Sequence, residues 1–331
     1  MPWHYSSGVA VLALFVCGCA STGTRPGGVQ VMTQQSHLGW HDAVILRNGK
    51  AEAVAVPSVG RVMQFRFAGE RTGPFWENER LLGQPMPAKP WEAAHGSFGG
   101  DKTWPAPQGL WNWPPPDVFD AAPLAFRVNA DHSVTLTSPV SPRFGLRTER
   151  RLVLHPQEPV LRIETTYEKV AGEPLEVSVW IITQTRDAEA IYLPVPANSK
   201  FPLGTTAIWG VPTNQLTSLP GNLLRLDRDR QASHKIGNDG SSLVWVGERE
   251  VLRVEIPRSP GANYPDDGCS AEIYTNPDPV PYVELETLGP LKRLQTGDRL
   301  SATNVYRLAR RNGTAPEAAA KAILELPMPL Q

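Results

Sequence analysis

Cysteine is scarce in this sequence, which excludes a fold held together by disulfides. The 331 residues include three cysteines, and two of these, Cys17 and Cys19, lie close to the N-terminus. The remaining thiol, Cys269, cannot form an internal disulfide with another core cysteine, so we expect it to be a small buried apolar residue. A chain of this length can bury a large core without disulfides.

Signatures of metal and cofactor sites are also missing. Cysteine and histidine show no paired spacing of the kind that zinc sites use. The sequence has no P-loop, no G-x-S-x-G nucleophile elbow and no dinucleotide-binding fingerprint. We therefore expect neither a metal nor a cofactor.

There is almost no excess of charge of either sign. Lysine and arginine total 32 against 33 aspartate and glutamate, a formal net charge of -1. Nucleic-acid binding needs a clustered cationic surplus, so a nucleic-acid partner is not expected. Long-range electrostatic steering is weak as well, and a neutral substrate fits better than a strongly anionic one.

The apolar run near the N-terminus, residues 9–16, is too short to span a bilayer, which takes about 20 apolar residues. It suits the core of a signal peptide. The following Val16-Cys17-Gly18-Cys19 resembles a bacterial lipobox, which implies a signal peptide over 1–18, a lipid-modified Cys19 and a tether over 19–38. Residues 1–7 contain no lysine or arginine, so the alternative is an ordinary signal peptide cut near Ala20. Either reading predicts export, and the lipobox predicts a membrane-anchored protein of the bacterial cell envelope.

Proline and glycine are abundant, with 33 and 28 residues, and favour many short strands over helices. Asn48-Gly49 between two apolar runs predicts a hairpin, and Met63, Phe65 and Phe67 alternate with other side chains as in a half-buried strand. The expected strands recur about every ten residues, as in a sandwich or barrel: 44–47, 51–56, 62–67, 124–128, 134–137, 146–154, 160–168, 175–183, 243–246, 252–256, 271–274, 282–288 and 303–309.

These strands predict one all-β domain over residues 39–311, followed by a C-terminal helix and tail over 312–331. The helix is expected from a capping box, Thr314-Ala-Pro-Glu317, placed before the apolar stretch 318–326.

The stretch 75–123 has few strand signals, yet it contains five of the ten tryptophans. Long ordered loops in compact domains are usually functional, because their ordering entropy must be offset. Tryptophan faces beside Asp101, Lys102 and His95 suit a sugar, whose C–H faces stack on flat rings and whose hydroxyls bond polar groups. The alternative is that these rings plug one end of the sandwich.

Several short motifs, taken in order, resemble the galactose mutarotase-like (aldose 1-epimerase) superfamily. They are Val56-Pro-Ser-Val-Gly60-Arg61-Val-Met-Gln, the Gly99-Gly100-Asp101-Lys102-Thr103-Trp104-Pro105 element, and the pair Glu272-Ile-Tyr-Thr-Asn276 and Tyr282-Val-Glu-Leu-Glu286-Thr-Leu-Gly-Pro290. The similarity is greatest to an uncharacterised lipoprotein branch with a GGDK-x-WPAP motif. It implies a β-supersandwich and a carbohydrate ligand.

Mutarotation needs a general base and a general acid, because one proton leaves the anomeric hydroxyl and another reaches the ring oxygen. Glu284 and Glu286 lie two apart on an expected strand, so they share a face roughly 7 Å apart. Carboxylates this close repel, which raises one pKa. The resemblance implies that Glu286 is the base. The alternative is the solvated face of an ordinary strand.

The resemblance also implies a histidine at the end of the strand 180–184, but this sequence has Thr183 and Gln184 there. Neither can protonate a ring oxygen near neutral pH. His95 is therefore the expected acid, the alternative being a loop histidine bonded to backbone. Asp101 and Lys102 are expected either to bind hydroxyls or to pair with each other.

The expected function is that of an aldose epimerase-like lipoprotein acting on a neutral sugar. Substrate-binding residues are expected to be Glu284, Asp101, Lys102, Trp104, Trp111, Trp113, Gln184 and Arg61. The alternative class is a non-catalytic carbohydrate-binding lipoprotein, favoured by the missing histidine, and a structural envelope protein without a sugar ligand is a third reading.

Overall fold

A computed structural model of the chain describes residues 28–86, 97–120 and 122–329. The expected signal peptide, the lipid-modified Cys19 and the expected acid His95 lie outside the described residues. Within these ranges, no helix combines the length and the apolar character needed to cross a membrane.

The described residues form two antiparallel sheets whose strands are numbered β1 to β21 along the chain. In spatial order the first sheet contains β1 (Gln30–His37), β2 (Trp40–Arg47), β3 (Ala51–Val56), β4 (Arg61–Phe67), β5 (Asp101–Ala106), β10 (Leu175–Arg186), β19 (Tyr282–Leu288), β18 (Ala271–Thr275), β15 (His234–Asn238) and β12 (Thr206–Trp209), and β20 (Lys292–Leu294) also pairs with β10.

The second sheet has ten strands among the described residues. Their order is β13 (Leu216–Leu219), β14 (Leu223–Leu226), β11 (Ala190–Pro194), β16 (Ser242–Val246), β17 (Glu250–Glu255), β21 (Arg299–Arg310), β9 (Val160–Lys169), β8 (Leu146–Leu154), β7 (Val134–Thr137) and β6 (Ala125–Val128). A four-residue helix, α1 (Asp117–Asp120), follows β5, and α2 (Pro316–Glu325) ends the fold.

The main core lies between the two sheets. Leu285 of β19 and Phe65 of β4 belong to the same buried cluster as Leu161 of β9 and Trp245 of β16. Alternation places one face of strands such as β4, β9 and β19 in this core, which the period-2 patterns of the sequence predict. The predicted all-β sandwich with a C-terminal helix is confirmed. Cys269 is fully buried.

Two boundaries differ from the expectations. The tether expected over 19–38 overlaps β1, which pairs with β2 through Gln30 and Arg47, so the sheet begins before Gly39. The predicted capping box does not form, because the helix N-cap is Ala315 and makes no side-chain capping bond. Pro316 takes the first turn instead, where its missing N–H costs nothing.

The stretch 75–123 is not one long loop, because it contains the central strand β5. Proline is unusual inside a sheet, yet Pro105 lies in β5. It is tolerated because β4 pairs with β5 only at Val62 and Asp101. The side of β5 that faces β4 therefore needs no N–H donor at Pro105.

The two glycines before β5 let three segments meet. Gly99 and Gly100 both have positive φ, and a Cβ on Gly99 would lie 2.1 Å from the carbonyl oxygen of Trp76. The Gly100 N–H donates to that oxygen at 2.8 Å, and its own carbonyl accepts from the N–H of Gln184 at 2.9 Å. The Gly-Gly pair therefore fixes β5 beside β10.

Candidate functional site

A cavity of about 410 Å³ lies on the face of the first sheet that points away from the core. Six adjacent strands, β5, β10, β19, β18, β15 and β12, present side chains to it. On β19 the odd positions Val283 and Leu285 enter the core, whereas Glu284 and Glu286 face the cavity. The complete lining is Ser97, Lys102, Trp104, Gln108, Trp113, Trp180, Gln184, Ile208, Trp209, Ser233, Lys235, Asp266, Tyr274, Tyr282, Glu284 and Glu286.

Strand register explains why residues far apart in sequence meet here. Gln184 of β10 is directly opposite Glu284 of β19, and Tyr274 of β18 is opposite it on the other side. Lys235 of β15 is opposite Tyr274 in turn. Cross-strand partners share a face, so a continuous polar row runs across four strands.

Glu284 is a buried carboxyl, only 9% exposed. Its Oε1 accepts a hydrogen bond from the Gln184 Nε2 at 2.8 Å, and the Ser97 Oγ in turn donates to the Gln184 Oε1 at 2.5 Å. Burial, together with the nearby Glu286, raises the pKa of Glu284 to about 7. The side chain therefore exchanges a proton near neutral pH.

Glu286 has a different environment, two residues away on the same face. Its Oε2 accepts from the Trp180 Nε1 at 2.6 Å and lies 2.8 Å from the Lys235 ammonium. One oxygen of Glu286 thus contacts an indole N–H and an ammonium group, whereas Glu284 has an amide partner. The two glutamates therefore have different neighbours although they share one strand face.

Lys235 bridges two buried carboxylates. Its ammonium group lies 2.6 Å from the Glu272 Oε2 and 4.2 Å from the centre of a Trp180 ring. Burial lowers the pKa of Lys235, but the charges of Glu272 and Glu286 outweigh that effect and raise it above its ordinary value. Lys235 therefore places a positive charge beside Glu286 in the cavity lining.

A second cation reaches the cavity from β5. Lys102 Nζ lies 2.9 Å from the Asp120 Oδ1, and the Trp104 Nε1 donates to the same oxygen at 2.7 Å. The Arg61 Nη2 lies 3.2 Å from the other oxygen of Asp120. Burial lowers the pKa of Lys102, and Asp120 partly offsets this. The pKa of Asp120 is lowered, since the two cations outweigh its burial.

Aromatic rings form much of the wall. Trp104 and Trp180 meet edge to face with ring centres 5.4 Å apart. Tyr282 belongs to the wall and stacks on Trp76 at 4.8 Å. Trp113 and Trp209 also line the cavity but are 60% and 65% exposed, so they lie at its mouth. The cavity thus has a polar floor, aromatic walls and an aromatic rim.

The structure brings six of the expected site residues together in the lining of this cavity: Glu284, Glu286, Lys102, Trp104, Trp113 and Gln184. Asp101 and Lys102 do not pair with each other. Asp101 is fully buried on the opposite face of β5, where it pairs with Arg150 and accepts from Thr183 at 2.7 Å.

Two further expected binding residues lie behind the wall. The Trp111 ring is 3% exposed and its Nε1 donates to the Pro105 carbonyl at 2.7 Å. Arg61 is 1% exposed and donates to the backbone carbonyl of Asp120 at 2.8 Å. Neither side chain lines the cavity. Both instead hold backbone next to it, Trp111 at Pro105 and Arg61 at Asp120.

Sequence reasoning missed several cavity residues, most of all Lys235. Its strand β15 has no strong apolar alternation, and only the register joins it to β18. Trp180, by contrast, could have been recognised from the sequence. It belongs to a predicted strand, and its spacing of two places it on the same face as Ile182 and Gln184. The same spacing of two places Tyr274 on the face of Glu272 in β18 and Tyr282 on the face of Glu284 in β19. Both tyrosines could therefore have been found from the sequence.

Comparison with known proteins identifies the fold. The sequence matches no protein-family model and no curated protein. Solved structures of similar fold include a galactose mutarotase-like protein from Lactobacillus casei, with 10% identity, a TM-score of 0.52, and coverage of 81% of this chain and 100% of that one. A galactose mutarotase related enzyme from Lactobacillus acidophilus also has 10% identity and a TM-score of 0.52, with coverage of 81% of this chain and 97% of that one.

A galactose mutarotase-like protein from Clostridium acetobutylicum has 10% identity and a TM-score of 0.50, with coverage of 86% of this chain and 99% of that one. Identities of this size show a shared fold alone. The predicted galactose mutarotase-like β-supersandwich is therefore confirmed, and function must be argued from the site.

Proposed function

We propose that the protein is an aldose epimerase-like enzyme that acts on a neutral carbohydrate. The observation that carries the proposal is the pair Glu284 and Glu286, which lie on one strand face in an aromatic cavity and have different neighbours, an amide for Glu284 and an ammonium group with an indole N–H for Glu286. Two carboxyl groups beside one bound ligand, one of them with a pKa of about 7, can supply the acid and the base of the reaction.

The cavity chemistry suits a sugar. Trp104, Trp180 and Tyr282 give the cavity wall an apolar aromatic surface for C–H groups, while Gln184 and Lys102 carry hydrogen-bond donors for hydroxyls. The charges in the cavity are largely compensated, with Lys102 beside Asp120 and Lys235 beside Glu286. A neutral ligand therefore fits better than a strongly charged one.

The proton transfers are assigned to the glutamate pair. Glu286 takes the proton of the anomeric hydroxyl, and Glu284 gives its proton to the ring oxygen, so that the bond between C1 and the ring oxygen breaks as the C1 carbonyl forms. Rotation about the C1–C2 bond and the reverse transfers then close the ring as the other anomer. Glu284 takes the role that the sequence assigned to His95, because it lies in the cavity with a pKa of about 7.

Gln184 favours a second candidate function, binding without catalysis. It occupies the strand end where the resemblance implies a catalytic histidine, and it is held by both Ser97 and Glu284. An amide at this place binds a hydroxyl group but moves no proton. A non-catalytic carbohydrate-binding protein would use the same cavity.

We also propose that the protein works in the bacterial cell envelope. The support is the N-terminal sequence, where an apolar run precedes Val16-Cys17-Gly18-Cys19. A lipid on Cys19 would tether the β-domain to a membrane outside the cytoplasm, where exported carbohydrates are accessible.

The test is anomeric exchange, measured by NMR on the full chain in a detergent without a sugar head group, across a panel of neutral aldoses. Wild type should accelerate exchange over buffer, and Glu286→Gln should reduce it by at least about 100-fold, as loss of a general base does. Glu176→Gln, an exposed glutamate on β10, is the matched control and should leave the rate unchanged. Sugar binding without acceleration in wild type would assign the binding function instead.

A further inference from the structure

We infer that the ligand of this site is a carbohydrate chain whose reducing-end unit occupies the cavity and whose next units stack on Trp113 and Trp209 at the rim. This inference rests on the proposed function, because it names the substrate class of the same site.

The first observation is where the exposed aromatic rings lie. Among the described residues, the large apolar side chains that are mostly exposed include two aromatic ones, Trp113 and Trp209. Both line the same cavity. Exposed tryptophan is uncommon on a soluble surface and is typical of binding surfaces, so their joint placement at one cavity mouth points to a ligand.

The second observation is that the two rings flank the polar row. Trp113 lies on the β5 side, with its ring centre 6.4 Å from that of Trp104. Trp209 ends β12, the edge strand of the first sheet, where it pairs with Lys235 of β15. In the sheet, β5 and β12 are separated by four strands. The two exposed rings therefore border the mouth from opposite sides, and a chain that leaves the cavity passes between them.

The third observation is the size of the cavity. About 410 Å³ lies near the small end of the range for pockets that enclose a small molecule, about 300–1,000 Å³. This volume includes the space beside Trp113 and Trp209 as well as the space beside the glutamates. The cavity thus has room for one sugar unit at Glu284 and Glu286, and the exposed rings at its mouth offer stacking surface to the units that follow.

The proposed chemistry fixes the orientation of the chain. Anomeric exchange requires a free C1 hydroxyl, which an oligosaccharide carries only at its reducing end. That unit must lie beside Glu284 and Glu286, so the rest of the chain leaves through the mouth between the rim tryptophans.

The test compares a neutral aldose with its di- and trisaccharides on the full chain in a detergent without a sugar head group. Dissociation constants and exchange rates are measured in the same NMR samples. Each stacked unit should tighten binding by about two- to tenfold. Trp209→Ala should reduce the ratio of trisaccharide to monosaccharide affinity towards one. Leu203→Ala, at an 82% exposed residue outside the cavity lining, should leave that ratio unchanged.

Equal affinity for one, two and three units would overturn the inference even if exchange of the monosaccharide is fast, and the proposed function would then stand. Length-dependent binding that Trp209→Ala removes would support the inference even if no exchange occurs, and the enzymatic proposal would then fail. Tighter binding of an aryl glycoside than of the trisaccharide would also overturn it, since the rim would then hold an aromatic aglycone.

Discussion

At the scale of single residues, the site shows how two chemically identical side chains acquire different roles. Glu284 has an amide partner, Gln184, whereas Glu286 has a cation and an indole N–H. Burial and the nearby Glu286 raise the pKa of Glu284, and the hydrogen bond from Gln184 opposes that shift. The difference therefore comes from neighbours on β10 and β15 rather than from the glutamates themselves.

The raised pKa of Glu284 predicts a pH-dependent cost in stability. Because the folded protein holds this proton more tightly than the unfolded chain does, stability is lost as pH rises from about 4.5 through about 7. Glu284→Gln removes the titration and keeps an oxygen for Gln184. Its free energy of unfolding relative to wild type should rise between pH 4.5 and pH 8 by on the order of 3 kcal/mol.

Urea unfolding of both proteins at the two pH values measures this difference. Glu176→Gln is the control, since an exposed carboxyl should show little pH-dependent change relative to wild type. If the free energy of unfolding of Glu284→Gln differed from that of wild type by the same amount at both pH values, the raised pKa of Glu284 would be contradicted.

Residue-level prediction from sequence went as far as local alternation allows. The shared face of Glu284 and Glu286 follows from their spacing, and both do line the cavity. Lys235 and Asp120 were missed because their contacts depend on strand order and on α1, which no local pattern encodes. His95, the expected acid, lies outside the described residues, so its role stays a prediction.

At the scale of elements, β5 shows why neighbouring residues in one motif do different work. Its period of two points Lys102 and Trp104 into the cavity and Asp101 and Thr103 towards the second sheet. Asp101 there accepts from the Tyr306 hydroxyl at 2.6 Å. One short motif thus supplies both a binding surface and an anchor between the sheets.

This alternation predicts opposite outcomes for adjacent substitutions. Asp101→Asn should lower the free energy of unfolding by about 3 kcal/mol or more, because it leaves the buried Arg150 without its counter-charge. The saccharide affinity of the folded fraction should not change. Lys102→Met should weaken that affinity about tenfold, while Asp120 keeps Arg61 as a partner.

Urea unfolding and saccharide titration of both variants provide the comparison. Loss of affinity in Asp101→Asn at full stability would contradict the placement of Asp101 outside the cavity.

The strand pattern of the sequence predicted most of the first and second sheets, including β8, β9, β10 and β19. It missed β1, β5, β11 to β15 and β20. In β5 the reason is that Gly99, Gly100 and Pro105 are all poor strand residues, and in β15 it is that the residues are buried without a strict alternation. In both elements the sheet neighbours override local propensity. The functional site lies on these two strands as much as on the predicted ones.

At the scale of the whole molecule, the sandwich separates stability from function. The sheets bury their apolar faces against each other, and the opposite face of the first sheet is left to form the cavity. The sequence predicted this architecture because alternation and turn spacing extend along the whole chain. The cavity itself could not be predicted, since it depends on which strands become neighbours.

The N-terminal sequence predicts where the whole molecule resides. Full-length protein should fractionate with membranes and carry the added mass of a lipid, and Cys19→Ala should abolish both. Cys17→Ala is the matched control and should retain the lipid. Fractionation and mass spectrometry of the three proteins measure this. Release of wild type as a lipid-free soluble protein would contradict the anchor and favour an ordinary signal peptide.

The most direct test of the account is the pH profile of anomeric exchange by wild type and Glu284→Gln, measured by NMR on a neutral saccharide. The account predicts that the wild-type rate falls as pH rises through about 7, because Glu284 loses the proton that it must donate. Glu284→Gln should be slower by at least about 100-fold and should lack this alkaline decline. A wild-type rate that stays level or rises above pH 7, or a variant as fast as wild type, would contradict the assignment of proton transfer to the two glutamates of β19.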